Sequence, residues 1–307
     1  MFFNWNLSDP AQWDECIALS EQLYEAQVAS VADGAACDGD VRILMLSGPS
    51  SSGKTTTALK MRDYLSERGA GADIVSLDNF YKDPSDIPML PDGTRDLESI
   101  ASLDVKLLHG CIAELLGTGK TELPKYNFHD GGRQAAGIQL ELQPGQKLIF
   151  EGIHALNPAI LDSIPHKSYR SVFISVGQDF NMPGGAALTR RDTRLLRRLI
   201  RDFKFRSAPC SMTLDMWRGV CDGEIKYIAP LAAAADLRID SAFYYEPCVL
   251  RHQALELLRT IGPDSAHYDL ASRLTALLER TPEIDEPRVP HKSMLREFLG
   301  ESYYYQG

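Results

Sequence analysis

"LSGPSSSGKTTTALKM", residues 46–61, is the stretch that decides the architecture. Gly48-Pro-Ser-Ser-Ser-Gly53-Lys54-Thr55 matches G-x-x-x-x-G-K-[ST] in full, the pattern of a loop that wraps phosphates. Its glycines let the backbone turn N–H groups inward, and the N-terminus of a following helix adds partial positive charge. A Gly/Ser-rich turn without a ligand would use the same residue types, so the flanks matter. Ahead of the loop, "VRILMLS" (41–47) is a short apolar run of the kind that forms a buried parallel strand. Behind it, residues 56–68 suit a helix broken near "RGAGA". Strand, loop, helix is the context the pattern needs. Gly48, Ser50, Ser51, Ser52, Gly53, Lys54, Thr55 and Thr56 are the candidate phosphate cradle, with Lys54 on the β- and γ-phosphates and the Thr55 hydroxyl on Mg²⁺.

Outward from the loop, strand and helix patterns alternate. Residues 72–78, 146–152, 171–176 and 236–241 read as strands, and 98–117 and 189–206 as helices, which implies a mainly parallel sheet covered on both faces. "ELPKYNF" and "GIQLELQ" around "HDGGRQAA" read as an inserted hairpin. An amphipathic helix over 11–33, then a linker "DGAACDGD", precedes the first strand. After Tyr245 the pattern turns helical, over 247–262, 264–280 and a short segment near 293–300. These last segments read as packing elements without a chemical signature. The expected division is 1–40, an N-terminal helix and linker; 41–246, the phosphate-loop core, with a lid near 189–208; and 247–307, a C-terminal helical extension. The fold class is α/β: a P-loop NTPase-type three-layer fold with a β-hairpin insertion.

The chain has 307 residues and a net charge of −10, which argues against nucleic acid or an acidic membrane as main partner. Six cysteines at 16, 37, 111, 210, 221 and 248 include no C-x-x-C pair, as expected of reduced thiols in a cytoplasmic protein. No apolar stretch approaches a transmembrane span, and no signal segment follows Met1. A homo-oligomer stays open.

Two acids and one basic helix then narrow the chemistry. Asp78 in "SLDNFYKD" and Glu151 in "LIFEGIHAL" end strand candidates, and the carboxyl ends of parallel strands surround the ligand crevice. Asp78 there could accept a proton from an attacking hydroxyl or help hold Mg²⁺; it could equally cap a turn. Glu151 could bind Mg²⁺ or be an ordinary surface acid. In "TRRDTRLLRRLIRDFKFR", Arg194, Arg198 and Arg201 share one helix face, with Leu195, Leu196, Leu199, Ile200 and Phe203 on the other. Such arginines could be a solvated face, a nucleic-acid stripe, or a lid neutralising a transferring phosphoryl group; the acidic chain and the phosphate loop favour the lid. No Asn precedes a Lys, so the N-K-x-D guanine signature is absent, as is L-S-G-G-Q.

Together, "GPSSSGKTT", "SLDNFYKD", "LPKYNF…R", "LIFEGIHAL", "DTRLLRRLIRD" and "YIAPLAAAADLRI" in this order resemble the uridine kinase family and its nucleoside-kinase relatives, in the group that includes phosphoribulokinase. The resemblance spans about residues 41–246. It implies that Asp78 is the base for the substrate 5′-hydroxyl, that Thr55, Asp78 and Glu151 attend Mg²⁺, and that ATP is the donor. It further implies that Tyr81, Asp96, Tyr126 and Phe128 contact a nucleoside, Asp96 gripping its ribose. Arg198 falls at a substrate-side lid position, and Arg201 and Arg206 at phosphate-side ones; Lys54, Asp78 and Arg201 form the catalytic set. Departures fall on the acceptor side. The family's base-reading His is replaced by Gly131, with His129 two residues early, while Arg133 is kept; Ala208 stands where a second lid arginine is usual; "LES" follows Asp96 in place of "HP". The expectation is ATP-dependent phosphorylation of the primary hydroxyl of a small molecule, first a ribonucleoside such as uridine or cytidine. Another sugar-like or pantothenate-like alcohol is the alternative acceptor, and a catalytically silent nucleotide-binding regulator the third reading.

Overall fold

In the first helix, α1 (Trp13–Cys37), buried Ile17, Tyr24, Val28, Val31 and Ala35 recur at helical spacing and face inward. The computed structural model describes residues 7–127, 132–181 and 185–304. Strand β1 (Ile43–Ser47) leads through the phosphate loop into α2 (Lys54–Glu67) and β2 (Ala72–Ser76). Helix α3 (Val105–Thr118) follows, then four short strands: β3 (Lys120–Leu123), β4 (Tyr126–Asn127), β5 (Gly132–Arg133) and β6 (Ile138–Glu141). Strand β7 (Lys147–Glu151), α4 (Pro158–Leu161) and β8 (Tyr169–Ser175) come next, with β9 (Phe180–Asn181) and β10 (Ala187–Leu188) before α5 (Arg190–Arg206). The chain continues through α6 (Cys210–Gly223), β11 (Leu237–Asp240), α7 (Glu246–Leu258), α8 (Tyr268–Glu279) and the single turn α9 (Arg296–Leu299).

The central sheet has five strands in the order β11-β8-β1-β7-β2, and every pairing in it is parallel. Period-two alternation of side chains divides the interior. Ile43 and Met45 of β1 join one core with Leu148, Phe150 and the residues of α3 and α4. Leu44 and Leu46 join the other with α1, α2, α5, α7 and α8. The result is three layers. The insertion is a two-step hairpin: Lys120–Leu123 pairs antiparallel with Ile138–Glu141, and Tyr126–Asn127 with Gly132–Arg133.

Several boundaries differ from the sequence reading. Helix α1 runs through Gly34 to Cys37, into the expected linker, because Ala32 and Ala35 are buried by packing. Strand β2 stops at Ser76, and Asp78 lies in a 3₁₀ turn over Leu77–Phe80. The helix expected from 98 starts at Val105, where the Asp104 side chain accepts from Leu107 N at 3.0 Å; Ile100–Ser102 is a separate 3₁₀ turn. Among the described residues no helix is long and apolar enough to cross a membrane.

Candidate functional site

Strand β7 lies between β1 and β2, so the carboxyl ends of three neighbours meet at one edge of the sheet. Glu151 is in register with Leu46 of β1 and Ser76 of β2. The phosphate loop leaves β1, Asp78 follows β2 by two residues, and Glu151 ends β7. At β1 the crossovers also change direction, since β1 is flanked by the later strands β7 and β8. Ligands of open parallel sheets sit at that kind of switch point.

The loop has the backbone of an anion nest. Ser51 and Gly53 have positive φ, 60° and 90°, and alternating left-handed residues aim successive N–H groups into a concavity. Gly48 is obligatory for another reason: a Cβ there would come within 2.1 Å of the Ile174 carbonyl oxygen. Lys54 Nζ donates to Gly48 O at 2.8 Å and Pro49 O at 3.1 Å. The Oγ atoms of Ser51 and Ser52 are buried and, among the described residues, have no hydrogen-bond partner. Unpaired buried hydroxyls are costly, and a phosphate in the loop would supply acceptors for both. Thr55 is exposed beside the loop, and Thr56 is buried.

Charge converges here. Burial lowers the Lys54 pKa, while Glu151 and Asp78 pull it back up. Asp78 is open to solvent yet crowded by protein; the crowding raises its pKa, against Lys54, Arg206 and Arg201. Glu151 is buried and raised for the same reason, with Asp78 adding to the effect. Among the described residues, no group of three or more His, Cys, Asp or Glu is arranged to hold a metal alone. Thr55, Asp78 and Glu151 offer one hydroxyl and two carboxylates, which suits Mg²⁺, an ion that takes one or two carboxylates and completes its shell with phosphate oxygens and water.

On the acceptor side, Tyr81 is buried and donates to Leu97 O at 2.9 Å, its ring 5.7 Å from that of Tyr126. Asp96 accepts from Tyr227 Oη at 2.9 Å. Arg133 is taken up structurally: it donates to Tyr81 O at 3.0 Å and to Asp104 Oδ2 at 3.2 Å, tying the hairpin to the turn after β2. Phe128 and His129 lie outside the described residues. Two further groups were not read from the sequence. Burial lifts Glu98 to about 7, opposed by Arg198 and Lys54. His154 is fully buried, and burial pushes its pKa down to about 4, so its ring is neutral.

Helix α5 begins with a capping box, Thr189 and Asp192 bonding reciprocally. Arg194 donates to Ser50 O at 3.1 Å and pairs with Glu224. Arg198 donates to Ser50 Oγ at 3.0 Å, so it touches the phosphate loop while its charge also acts on Glu98. Arg201 bonds Asp202 at 2.7 Å, Arg198 lies 3.2 Å from the same carboxylate, and Arg206 3.5 Å. Asp202 gathers all three, and its spacing of four from Arg198 and from Arg206 was the signal for it. Phe203, expected on the apolar face opposite the arginines, is exposed, because the buried apolar stripe of α5 ends at Ile200. The deepest arginine is Arg197. It is fully buried, pairs with fully buried Glu246, and donates to Ser51 O at 3.2 Å. Helix α1 also reaches the loop's helix: Tyr24 Oη and Thr57 Oγ are 2.6 Å apart.

The tail corrects the sequence reading most. Far from being packing alone, it puts Glu297 against α2, where Glu297 Oε2 accepts from Thr56 N at 3.1 Å and Thr56 Oγ at 2.7 Å.

A model of the Phosphoribulokinase / Uridine kinase family matches residues 43–244. A uridine kinase of Deinococcus deserti is 26% identical over 216 residues, covering 69% of this chain and 94% of that protein. A uridine kinase of Halobacterium salinarum is 27% identical over 195 residues, 63% of this chain and 77% of that one. Among solved structures, a possible uridine kinase from Bacillus stearothermophilus is 14% identical with a TM-score of 0.47, covering 70% of this chain and 98% of that one.

Proposed function

Since the chain belongs to the Phosphoribulokinase / Uridine kinase family, we propose that it transfers the terminal phosphoryl group of ATP to a primary hydroxyl, with a ribonucleoside such as uridine or cytidine as first acceptor. The observation that carries this reading is the position of Asp78: solvent-accessible after β2, and acted on together by Lys54, Arg201 and Arg206. ATP supplies the phosphoryl group, and Thr55, Asp78 and Glu151 would hold Mg²⁺, which would supply charge to neutralise it.

The remaining work falls to the chain. Asp78 orients the acceptor hydroxyl and takes its proton. Lys54, Arg201 and Arg206 stabilise negative charge on the transferring group, at little reorganisation cost where the side chains are already held. Asp202 holds those arginines in place. Tyr81 and Tyr126 flank the acceptor, and Asp96, steadied by Tyr227, grips vicinal hydroxyls. Arg133 positions this wall by bracing Asp104. The arginine face of α5, already bonded to the phosphate loop at Ser50, limits the water that would otherwise compete as acceptor.

The test is Asp78→Asn. An amide accepts no proton, so turnover is expected to fall by about a hundredfold or more while ATP binding stays within a few-fold. Near-normal turnover would remove Asp78 as the base.

A further inference from the structure

Two of the donors beside the phosphate loop are already engaged, and by this chain. Thr56 N–H and Thr56 Oγ–H, at the first turn of α2, both donate to one oxygen of Glu297. Backbone N–H groups of this loop and of the helix it opens are the ones that cradle the α- and β-phosphates. Glu297 is buried, a carboxylate facing the positive end of a helix 14 residues long. Its charge also acts on Lys54 and Glu151. Three residues earlier, Met294 lies against the loop glycine: a Cβ on Gly53 would fall 2.4 Å from its sulfur.

The segment that carries them is firmly seated. Met294, Leu295, Phe298 and Leu299 are buried. Phe298 lies 5.3 Å below the guanidinium of Arg197, and the Leu299 carbonyl accepts from Lys204 of α5. Arg296 closes the strap by donating to Val289 O at 2.7 Å and Glu286 O at 3.0 Å. The tail therefore bridges the two elements between which a nucleotide's phosphates would lie, α2 and α5.

We infer that the C-terminal segment 293–300 is a built-in competitor for the nucleotide site, in which the Glu297 carboxylate stands in for a nucleotide phosphate on Thr56 and must leave when ATP binds. The inference rests on reading residues 48–56 as the phosphate cradle. Two anions cannot share one pair of donors, so the tail-bound form is closed to a nucleotide that uses Thr56. The apparent affinity for ATP is then reduced by the fraction of molecules whose tail is open. The segment thereby sets the ATP concentration at which the protein responds.

The experiment combines calorimetric titration with ATP–Mg²⁺ and amide hydrogen exchange, on the full chain and on Glu297→Gln and Glu297→Ala. Both variants are expected to bind ATP about tenfold more tightly or better. In the unmodified chain, ATP is expected to slow exchange over 48–57 and speed it over 293–300. The exchange arm needs no substitution, so it decides the matter even if a variant folds poorly. Unchanged or weaker ATP binding in the variants, with 293–300 equally or more protected in the ATP complex, would make Glu297 a permanent helix cap and overturn the inference. Acceptor-dependent turnover in that case leaves the proposed function intact. Tighter ATP binding without turnover on any acceptor leaves the inference standing and removes the proposed function. No ATP binding by any of the three chains overturns both.

Discussion

Glu98 adds a carboxyl group beside Asp78 and Asp96. Burial is the main reason its pKa rises from 4.5 to about 7. Between those two values the folded protein keeps a proton that the unfolded chain has released. Stability tied to Glu98 is thus present below the lower value and lost as pH rises toward the upper one. The denaturation midpoint of the unmodified chain is expected to fall relative to that of Glu98→Gln across this window; parallel curves would show that Glu98 titrates normally. Asp78 and Tyr81 stand out because both sit inside "SLDNFYKD", and Asp96 only through the family resemblance. Glu98 does not, since its significance comes from the burial around it and from Arg198, 100 positions away in the chain.

Helix α5 shows what periodicity can and cannot reveal. Its 3.6-residue repeat sets Arg194, Arg198 and Arg201 on one face; Arg194 and Arg198 meet Ser50 together, while Arg201 bonds Asp202. The repeat did not disclose Arg197, which enters the interior because Glu246 at the start of α7 meets it there. Both side chains are fully buried, and Arg197 in turn holds the Ser51 and Ser241 carbonyls. Glu246→Ala would strand a guanidinium in the core, so a loss of ~3–5 kcal/mol of unfolding free energy is expected by urea denaturation. A loss under about 1 kcal/mol would mean that the pair is replaceable by water or relaxation. Because Arg197 touches the phosphate loop, weaker ATP binding is expected to accompany the loss.

Across the whole molecule, five parallel strands bring the loop after β1, the acid after β2 and the acid ending β7 to one edge. That much was legible, because buried parallel strands leave unbroken apolar runs and their carboxyl ends are where ligands gather. The contact between Glu297 and Thr56 was not, for the two residues are 241 positions apart and no spacing rule links them. The central claim is that this edge passes phosphate to an alcohol. Its most direct measurement is ADP release at saturating ATP–Mg²⁺, with and without each common nucleoside and a set of sugar-like and pantothenate-like alcohols. The expected result is ADP release that rises with uridine or cytidine and yields the 5′-monophosphate in equal amount. A chain that binds ATP, yet whose ADP release no acceptor changes, would contradict the account.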